Sequence, residues 1–249
     1  MQSDNNNLLK ISKAEADKWI RYGLKKKEED EVNILLSEGN EDKLIESFHK
    51  KLEFGTGGMR GIIGIGSNRI NSYTISLATQ GLCNYLNKIV DGNKSAVIAY
   101  DSRRFSKEFG YQTAKIFSAN NIKSYIFSDL RPTPELSFAV RELNCTCGIV
   151  ITASHNPKEY NGYKVYWNDG GQITAPHDKN IISEVEKITD FNHINFNFNR
   201  ELIEEIDNKI DKKYIDKIQS LSLYDNSRSK LKIIFSSLHG TGITQIPNA

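Results

Sequence analysis

The feature that most constrains the fold is a regular alternation of short apolar runs with helical patterns between residues 72 and 152. Apolar side chains recur at spacings of three and four over residues 72–90, and residues 105–120 and 133–143 also predict helices. The apolar runs predict strands at residues 97–100, 124–127 and 148–152. Such an alternation is typical of an α/β fold with a parallel sheet covered by helices.

The segment that precedes this alternation predicts further helices. Ser12 and Glu15 have capping-box spacing and Trp19 lies on an apolar face, which predicts a helix over residues 12–24. The charged run at residues 25–31 is interpreted as a solvated helix face, and a second helix is expected over residues 41–51.

Two polar residues follow predicted strands, Asp101 after the first and Ser154 after the third. Ligands of such sheets gather at the carboxyl ends of the strands. A serine in this place invites comparison with the nucleophile elbow of hydrolases, which requires a glycine on each side of the serine. Here Thr152 and Asn156 occupy those positions, and His155 is adjacent in sequence and badly placed as a base. The hydrolase hypothesis is therefore disfavoured.

The stretch from Ser154 to Lys164 leaves two interpretations open. In the first, Ser154 carries a phosphoryl group whose oxygens accept hydrogen bonds from turn amides, His155 and Asn156. A hairpin-like return through Val165 would then bring Lys164 back to the serine, where desolvation would suit it to proton transfer. In the second, the segment is a surface turn followed by an exposed lysine.

The glycine-rich stretch FGTGGMRG at residues 54–61 is weak evidence by itself. It fits neither the dinucleotide fingerprint nor a P-loop, because no Gly-Lys-Ser/Thr follows it. Glycine-rich turns of this kind are more often structural than functional.

Charge and cysteine content exclude several classes of protein. The chain has 33 basic and 31 acidic residues, a formal net charge of +2, so no overall field favours nucleic acid or an anionic membrane as partner. Its 3 cysteines are too few for a disulfide framework, and no apolar run has membrane-spanning length. We expect a cytoplasmic protein that binds neither nucleic acid nor membrane.

The segment TASHNPKEYNGYKVYW, residues 152–167, resembles the active-site serine loop of the α-D-phosphohexomutases, the phosphoglucomutase and phosphomannomutase superfamily. Four further segments extend the resemblance along the chain: FGTGGMRG, AYDSRRFS at 99–106, RPTPEL at 131–136 and LHGTG at 238–242. The sequence FGTGGMRG is most similar to the branch of phosphoglucomutase-2-like and phosphopentomutase-like enzymes. The resemblance implies a mixed, mainly parallel sheet covered by helices.

The resemblance also implies roles for individual residues. Ser154 would be phosphorylated, Lys164 would be the general acid or base, and Arg60 would approach the phosphoserine with its guanidinium fork. Gly57 and Gly58 would add amide donors. Contacts to phosphate or substrate are further expected from three residues: His155, Asn156 and Arg103. For Arg103, a surface ion pair with the strand end is an equally open interpretation.

The implied reaction moves a phosphoryl group between the 1- and 6-positions of a hexose phosphate through a sugar bisphosphate. Glucose is the first choice of sugar, with mannose and pentose phosphates as alternatives. A Mg²⁺ ion is expected beside Ser154, bound through its phosphate, with the remaining ligands outside this chain. A sugar bisphosphate is the expected activator.

Two domains are expected: residues 1–205, a phosphohexomutase first domain with the serine loop, and residues 206–249, the incomplete beginning of a second. A charged helix from near Glu201 and a new strand at LKIIF, residues 231–235, belong to this expectation. The metal and sugar loops that the family carries in later domains have no counterpart here. We therefore expect an N-terminal part of a mutase, inactive alone and missing its C-terminal domains, with exposed apolar surface around residues 233–238 that favours self-association. The alternative is a truncated, non-catalytic module that binds sugar phosphates or a partner.

Overall fold

The computed structural model describes residues 2–223 and 232–249 and contains a mixed seven-stranded sheet. The strands are β1 (Phe54–Gly55), β2 (Gly58–Ile62), β3 (Ser95–Tyr100), β4 (Lys123–Ile126), β5 (Cys147–Ile151), β6 (Tyr160–Trp167) and β7 (Ile203–Glu205). Their order across the sheet is β1-β2-β6-β5-β3-β4-β7. The strands β5, β3, β4 and β7 are parallel, whereas β6, β2 and β1 are each antiparallel to the preceding neighbour. The predicted α/β fold with a mixed, mainly parallel sheet is confirmed.

Eight helices accompany the sheet in the described part of the chain. They are α1 (Gln2–Arg21), α2 (Lys26–Leu36), α3 (Glu41–Phe48), α4 (Ser72–Ile89), α5 (Ser106–Ala119), α6 (Thr133–Glu142), α7 (His177–Glu186) and α8 (Asp207–Gln219). The bounds of α4, α5 and α6 agree closely with the sequence predictions, because each combines a clear apolar face with a marked boundary. For example, the Asn71 side chain caps α4 through a capping box with Thr74.

The sheet separates two hydrophobic clusters, as alternate side chains of a strand point to opposite faces. On β3, Ile98 belongs to the larger cluster, which contains side chains of α4, α5 and α7, and Val97 belongs to the smaller one, which contains side chains of α6 and α8. Helices therefore cover both faces of the sheet, and the loops at the carboxyl ends of the parallel strands stay accessible.

The N-terminal helix differs from its prediction. It begins at Gln2, so Ser12 lies inside it, and the Ser12 hydroxyl donates a hydrogen bond to the Leu8 carbonyl 2.8 Å away instead of capping a helix end. The predicted capping box is therefore wrong. Burial of Trp19, whose ring packs edge-on against Phe48 and Phe191, fixes α1 on the domain.

The antiparallel strand β6 brings the chain back along β5 and also pairs with β2. In this register Lys164 lies opposite Val150 of β5 and opposite Gly58 of β2, and Arg60 of β2 lies opposite Gly162. The hairpin-like return predicted from the sequence is confirmed, and the glycine-rich segment is a strand that the sequence analysis did not identify.

The C-terminal part of the described chain departs from its predicted elements. The charged helix begins at Asp207 rather than near Glu201, because residues 200–205 form a short 3-10 turn and the strand β7. Residues 232–235 form no strand, and Leu231 lies outside the described residues. Ile206 and Ile210 are buried in the smaller cluster. The boundary between domains at residues 205 and 206 stays a prediction.

Candidate active site

Ser154 lies in the segment that joins β5 to β6, residues 152–159, here called the serine loop. Its backbone has φ +54°, the left-handed region that L-residues adopt rarely. The Ser154 N–H donates to Thr152 Oγ1 at 2.9 Å, and the Thr152 hydroxyl donates to Asp101 Oδ2 at 2.6 Å. The side chain of Ser154 is exposed, so its hydroxyl is held at the surface by a fixed backbone.

Lys164 approaches the serine from the middle of β6. Its Nζ donates to Ser154 Oγ at 2.8 Å, which confirms the spatial proximity predicted from the sequence. Burial lowers the pKa of Lys164, the charge of Arg60 lowers it further, and Asp101 opposes both effects. A lysine with a lowered pKa beside a hydroxyl is suited to accept and return that proton.

Arg60 stands on β2, one strand beyond Lys164. Its guanidinium Nη1 donates to Asn156 Oδ1 at 2.7 Å, so the side chain reaches the serine loop. Arg60 is exposed, which leaves further N–H groups directed to the solvent in front of the loop. The structure thus brings Arg60, Asn156, Lys164 and Ser154 together.

Arg103 binds the backbone of the serine loop. Its guanidinium donates four hydrogen bonds of 2.6–3.0 Å to carbonyl oxygens of Ser154, Asn156, Pro157 and Tyr160. Its Nε lies 3.5 Å from the carboxylate of Asp101. These contacts favour a role in holding the loop, and contact of Arg103 with substrate or phosphate stays a prediction.

Gly57 and Gly58 are required by the backbone at this point. They have φ +84° and +138°, and a Cβ on Gly58 would stand 1.9 Å from the carbonyl oxygen of Tyr163. Their close approach places β2 against β6 and so aligns Arg60 with the loop. The phosphate contacts predicted for their amides, and for the exposed His155, stay predictions.

A groove of about 820 Å³ opens beside Ser154. Several of its walls come from residues that the sequence analysis did not select: Arg104, Lys158, Glu159, Ile62 and Ile63. His239, from the LHGTG segment, also lines it, and the Ser102 hydroxyl donates to the His239 carbonyl. Separate loops meet in three dimensions to form this groove. Arg104 and Lys158 lie within the segments AYDSRRFS and TASHNPKEYNGYKVYW, and their charge was the one signal in the sequence that could have selected them.

Among the residues that the structure describes, the side chains around Ser154 do not provide enough ligands for a metal ion. Within residues 2–223 and 232–249, no three or more His, Cys, Asp or Glu side chains are grouped to hold a metal ion. The Asp101 carboxylate, which lines the groove beside Ser154, already accepts hydrogen bonds from Thr152, Ser106 and the Arg103 amide. The described residues therefore do not form a magnesium site by themselves.

Comparison with known families assigns the fold and the loop to one group of enzymes. Residues 51–192 match the family described as phosphoglucomutase/phosphomannomutase, alpha/beta/alpha domain I. This range contains β1 to β6 and every site residue described above except His239. The chain belongs to the phosphoglucomutase/phosphomannomutase family, and the resemblance found in the sequence is confirmed.

Individual relatives include both sugar classes. A phosphoglucomutase of Staphylococcus haemolyticus is 38% identical over 236 residues, which cover 93% of this chain and 42% of that protein. A phosphopentomutase of Homo sapiens is 35% identical over 252 residues, which cover 94% of this chain and 41% of that protein. The chain thus spans about two fifths of the length of these curated relatives.

Solved structures agree on the fold. A phosphomannomutase structure from Thermus thermophilus matches with a TM-score of 0.59 and 26% identity, over 69% of this chain and 36% of that one. The open form of a Paramecium phosphoglucomutase, parafusin, has a TM-score of 0.62 at 21% identity, over 78% of this chain and 40% of that one. This match shows a likeness of fold alone. Among the described helices, none is both long and apolar enough to cross a bilayer.

Proposed function

We propose that this chain provides the phosphoserine part of a phosphosugar mutase, with Ser154 as the residue that accepts and returns the phosphoryl group. The observation that carries the proposal is the 2.8 Å contact between Lys164 Nζ and Ser154 Oγ. Ser154 also lines a groove to which Arg104 and Lys158 contribute. Membership of the phosphoglucomutase/phosphomannomutase family supports it.

The transfer is a displacement at phosphorus. With a sugar bisphosphate in the groove, Ser154 Oγ forms a bond to phosphorus, the bond from phosphorus to the sugar oxygen breaks, and that oxygen takes up a proton. The proton of the serine hydroxyl passes to neutral Lys164, whose lowered pKa favours this form, and Lys164 then gives it to the leaving sugar oxygen. In the return direction the sugar oxygen forms the bond to phosphorus and the bond from phosphorus to Ser154 Oγ breaks. Lys164 takes the proton of the sugar hydroxyl and gives it to Ser154 Oγ.

The positive charges around the loop support the same chemistry. Arg60 is held by Asn156 with exposed N–H groups, and an arginine fork matches phosphate oxygens. Gly57, Gly58 and His155 are proposed as further donors to the phosphate, as the family resemblance implies. Positioning and charge neutralisation supply most of the catalysis in phosphoryl transfer. A serine loop that both Arg60 and Lys164 contact is therefore suited to this reaction.

The substrate and cofactors belong to the proposal as well. We propose a hexose phosphate as substrate, glucose 1-phosphate and glucose 6-phosphate first, with a sugar bisphosphate as activator. Magnesium would bind the phosphate of Ser154 and supply charge neutralisation there, with its other ligands outside this chain. The described residues do not complete such a site by themselves.

Complete turnover is proposed to need parts of the mutase beyond these 249 residues, because the chain spans about two fifths of its curated relatives. We also propose that residues 1–205 form one domain and residues 206–249 the incomplete beginning of a second, and that the protein is cytoplasmic. The alternative is a truncated, non-catalytic module that binds sugar phosphates or a partner. The groove next to Ser154, which Arg104 and Lys158 help to line, favours the binding of sugar phosphates.

Incubation with glucose 1,6-bisphosphate, followed by intact-mass spectrometry and peptide mapping, tests the proposal. The expected result is one phosphoryl group on the peptide that contains Ser154, absent from Ser154→Ala and present in Ser102→Ala, a control serine near the same groove. Uptake at another residue, or equal uptake by Ser154→Ala, would refute the donor role. Bisphosphate binding without any uptake would favour the binding module.

A further inference from the structure

We infer that Thr152 is a positioning residue for phosphoryl transfer, which holds Ser154 in its left-handed conformation through a network with Asp101 and Arg103. The expected effect on phosphoryl transfer rests on the proposed function. The effect on the conformation of Ser154 rests on the geometry of the loop alone. None of these three side chains needs to touch the reacting phosphorus.

The first part of the network binds the backbone N–H of Ser154. Thr152 Oγ1 accepts the Ser154 N–H at 2.9 Å and donates its own proton to Asp101 Oδ2 at 2.6 Å. Because the Thr152 hydroxyl gives its one proton to Asp101, a lone pair of Oγ1 is left facing the Ser154 amide. One hydroxyl therefore connects the end of β3 to the serine.

The second part holds the loop from its outer side. The Arg103 guanidinium donates to the carbonyl oxygens of Ser154 at 2.7 Å and Asn156 at 2.6 Å, besides two carbonyls further along the loop. The Arg103 amide donates to Asp101 Oδ1 at 3.0 Å, so Asp101 orients this residue as well. Both peptide groups of Ser154 are thus fixed through Asp101.

The base of the loop is tied to the strand that carries Lys164. The Thr152 N–H donates to the Gly162 carbonyl at 3.0 Å, and a Cβ on Gly162 would stand 2.5 Å from the Thr152 carbonyl oxygen. The absence of a side chain at Gly162 therefore lets Thr152 lie against β6. As a result, the position of Ser154 Oγ relative to Lys164 Nζ is set through Thr152.

Relaxation of this network would change the chemistry rather than the fold. A serine with φ +54° that loses its amide partner is free to return to the β or right-handed α region. Such a rotation turns Ser154 Oγ away from Lys164. Misplacement of a reacting group by about 1 Å costs on the order of 100-fold in rate, so the effect should appear in the rate of transfer more than in binding.

Three variants of the full chain separate this role from simple stability. Thr152→Val removes the hydroxyl at constant shape, and Thr152→Ser keeps the hydroxyl. Thr146→Val is the matched control, because Thr146 precedes the other end of β5 and its Oγ1 also accepts one backbone N–H, that of Ser95 at 3.2 Å. The readouts are the rate and half-saturating concentration for phosphoryl uptake from glucose 1,6-bisphosphate, and the exchange rate of the Ser154 amide by NMR.

The expected result for Thr152→Val is uptake slowed about 10- to 100-fold, a half-saturating concentration changed less than about 3-fold, and faster exchange at the Ser154 amide. Thr152→Ser should restore most of the rate and the protection, and Thr146→Val should keep both. Unchanged uptake by Thr152→Val while the wild-type protein is phosphorylated would overturn the inference and leave the proposed function standing.

The remaining outcomes are also decisive. If the wild-type protein takes up no phosphoryl group, the donor role fails for these 249 residues alone, and exchange of the Ser154 amide then decides the positioning role. Faster exchange in Thr152→Val than in Thr146→Val supports the inference, and equal exchange overturns it. If Thr152→Val does not fold, Asp101→Asn replaces it, with the same expected changes and the same overturning result.

Discussion

Replacement of Glu135 by glutamine should stabilise the protein by an amount that grows with pH. Glu135 is fully buried on α6, where Arg131 binds Asp211 through two hydrogen bonds of 2.8 Å and Gln245 donates to Glu135 Oε1 at 3.2 Å. Burial raises the pKa of Glu135 from 4.5 to about 9, and the neighbouring Asp211 carboxylate adds to the shift, while Arg131 opposes it. Glu135 is therefore protonated in the folded protein at neutral pH.

The direction and size of the change in the free energy of unfolding with pH follow from proton binding by Glu135. Between pH 4.5 and about 9 the folded state holds the Glu135 proton and the unfolded state does not, so the free energy of unfolding falls as pH rises. The slope approaches about 1.4 kcal/mol per pH unit, and the loss reaches about 3 kcal/mol at pH 7. A glutamine mimics the protonated acid and has no proton to lose in the unfolded chain.

Urea unfolding of wild type and Glu135→Gln at pH 5, 6, 7 and 8, followed by tryptophan fluorescence, measures this difference. The stability advantage of the variant should increase steadily across the series. The control is Glu142→Gln on the same helix, where a surface pair with Lys213 should give a difference within about 0.5 kcal/mol at every pH. A difference for Glu135→Gln that stays constant with pH would refute the reasoning.

Three further predictions concern the site and its framework. Phosphorylation of Ser154 should raise the pKa of Lys164 from its lowered value, since the new negative charge would lie against the ammonium, and carbon-13 NMR of the lysine side chain measures both states. Gly58→Ala should destabilise the fold by about 2–4 kcal/mol in urea unfolding, because its Cβ meets a backbone carbonyl at 1.9 Å, whereas Gly92→Ala, with a positive φ but open space, should cost only about 1 kcal/mol. Arg103→Lys should increase proteolysis within residues 152–159, because an ammonium cannot make the four guanidinium contacts. Unchanged cleavage would contradict a role of Arg103 in holding the serine loop.

The central α/β unit was predictable because several local signals agree there. Strands β3 and β5 are short apolar runs that lie inside the sheet, and α4 has a marked N-cap in Asn71. The proximity of Ser154 and Lys164 followed from a hairpin-like return over ten residues. In each case the information lies within a short stretch of sequence.

The remaining elements depend on contacts between distant parts of the chain. α1 begins among asparagines, which form helices poorly, and its apolar packing through Trp19 overrides that preference. β2 has a glycine-rich sequence typical of a loop, yet its pairing with β6 demands glycine at residue 58. Arg103 looked like a phosphate ligand or an ion-pair residue, and only the folded loop presents four carbonyl oxygens to it.

The two outer strands of the sheet determine how copies of this chain can associate. β1 has 2 residues and β7 has 3, so each rim offers few unpaired amides and carbonyls to a strand from another molecule. The side chains of Ile233, Ile234 and Leu238 are instead 81%, 99% and 83% exposed. Aggregation would therefore proceed by apolar contact in that segment rather than by amyloid-like growth of the sheet, and polar substitutions intended to keep the protein in solution belong there.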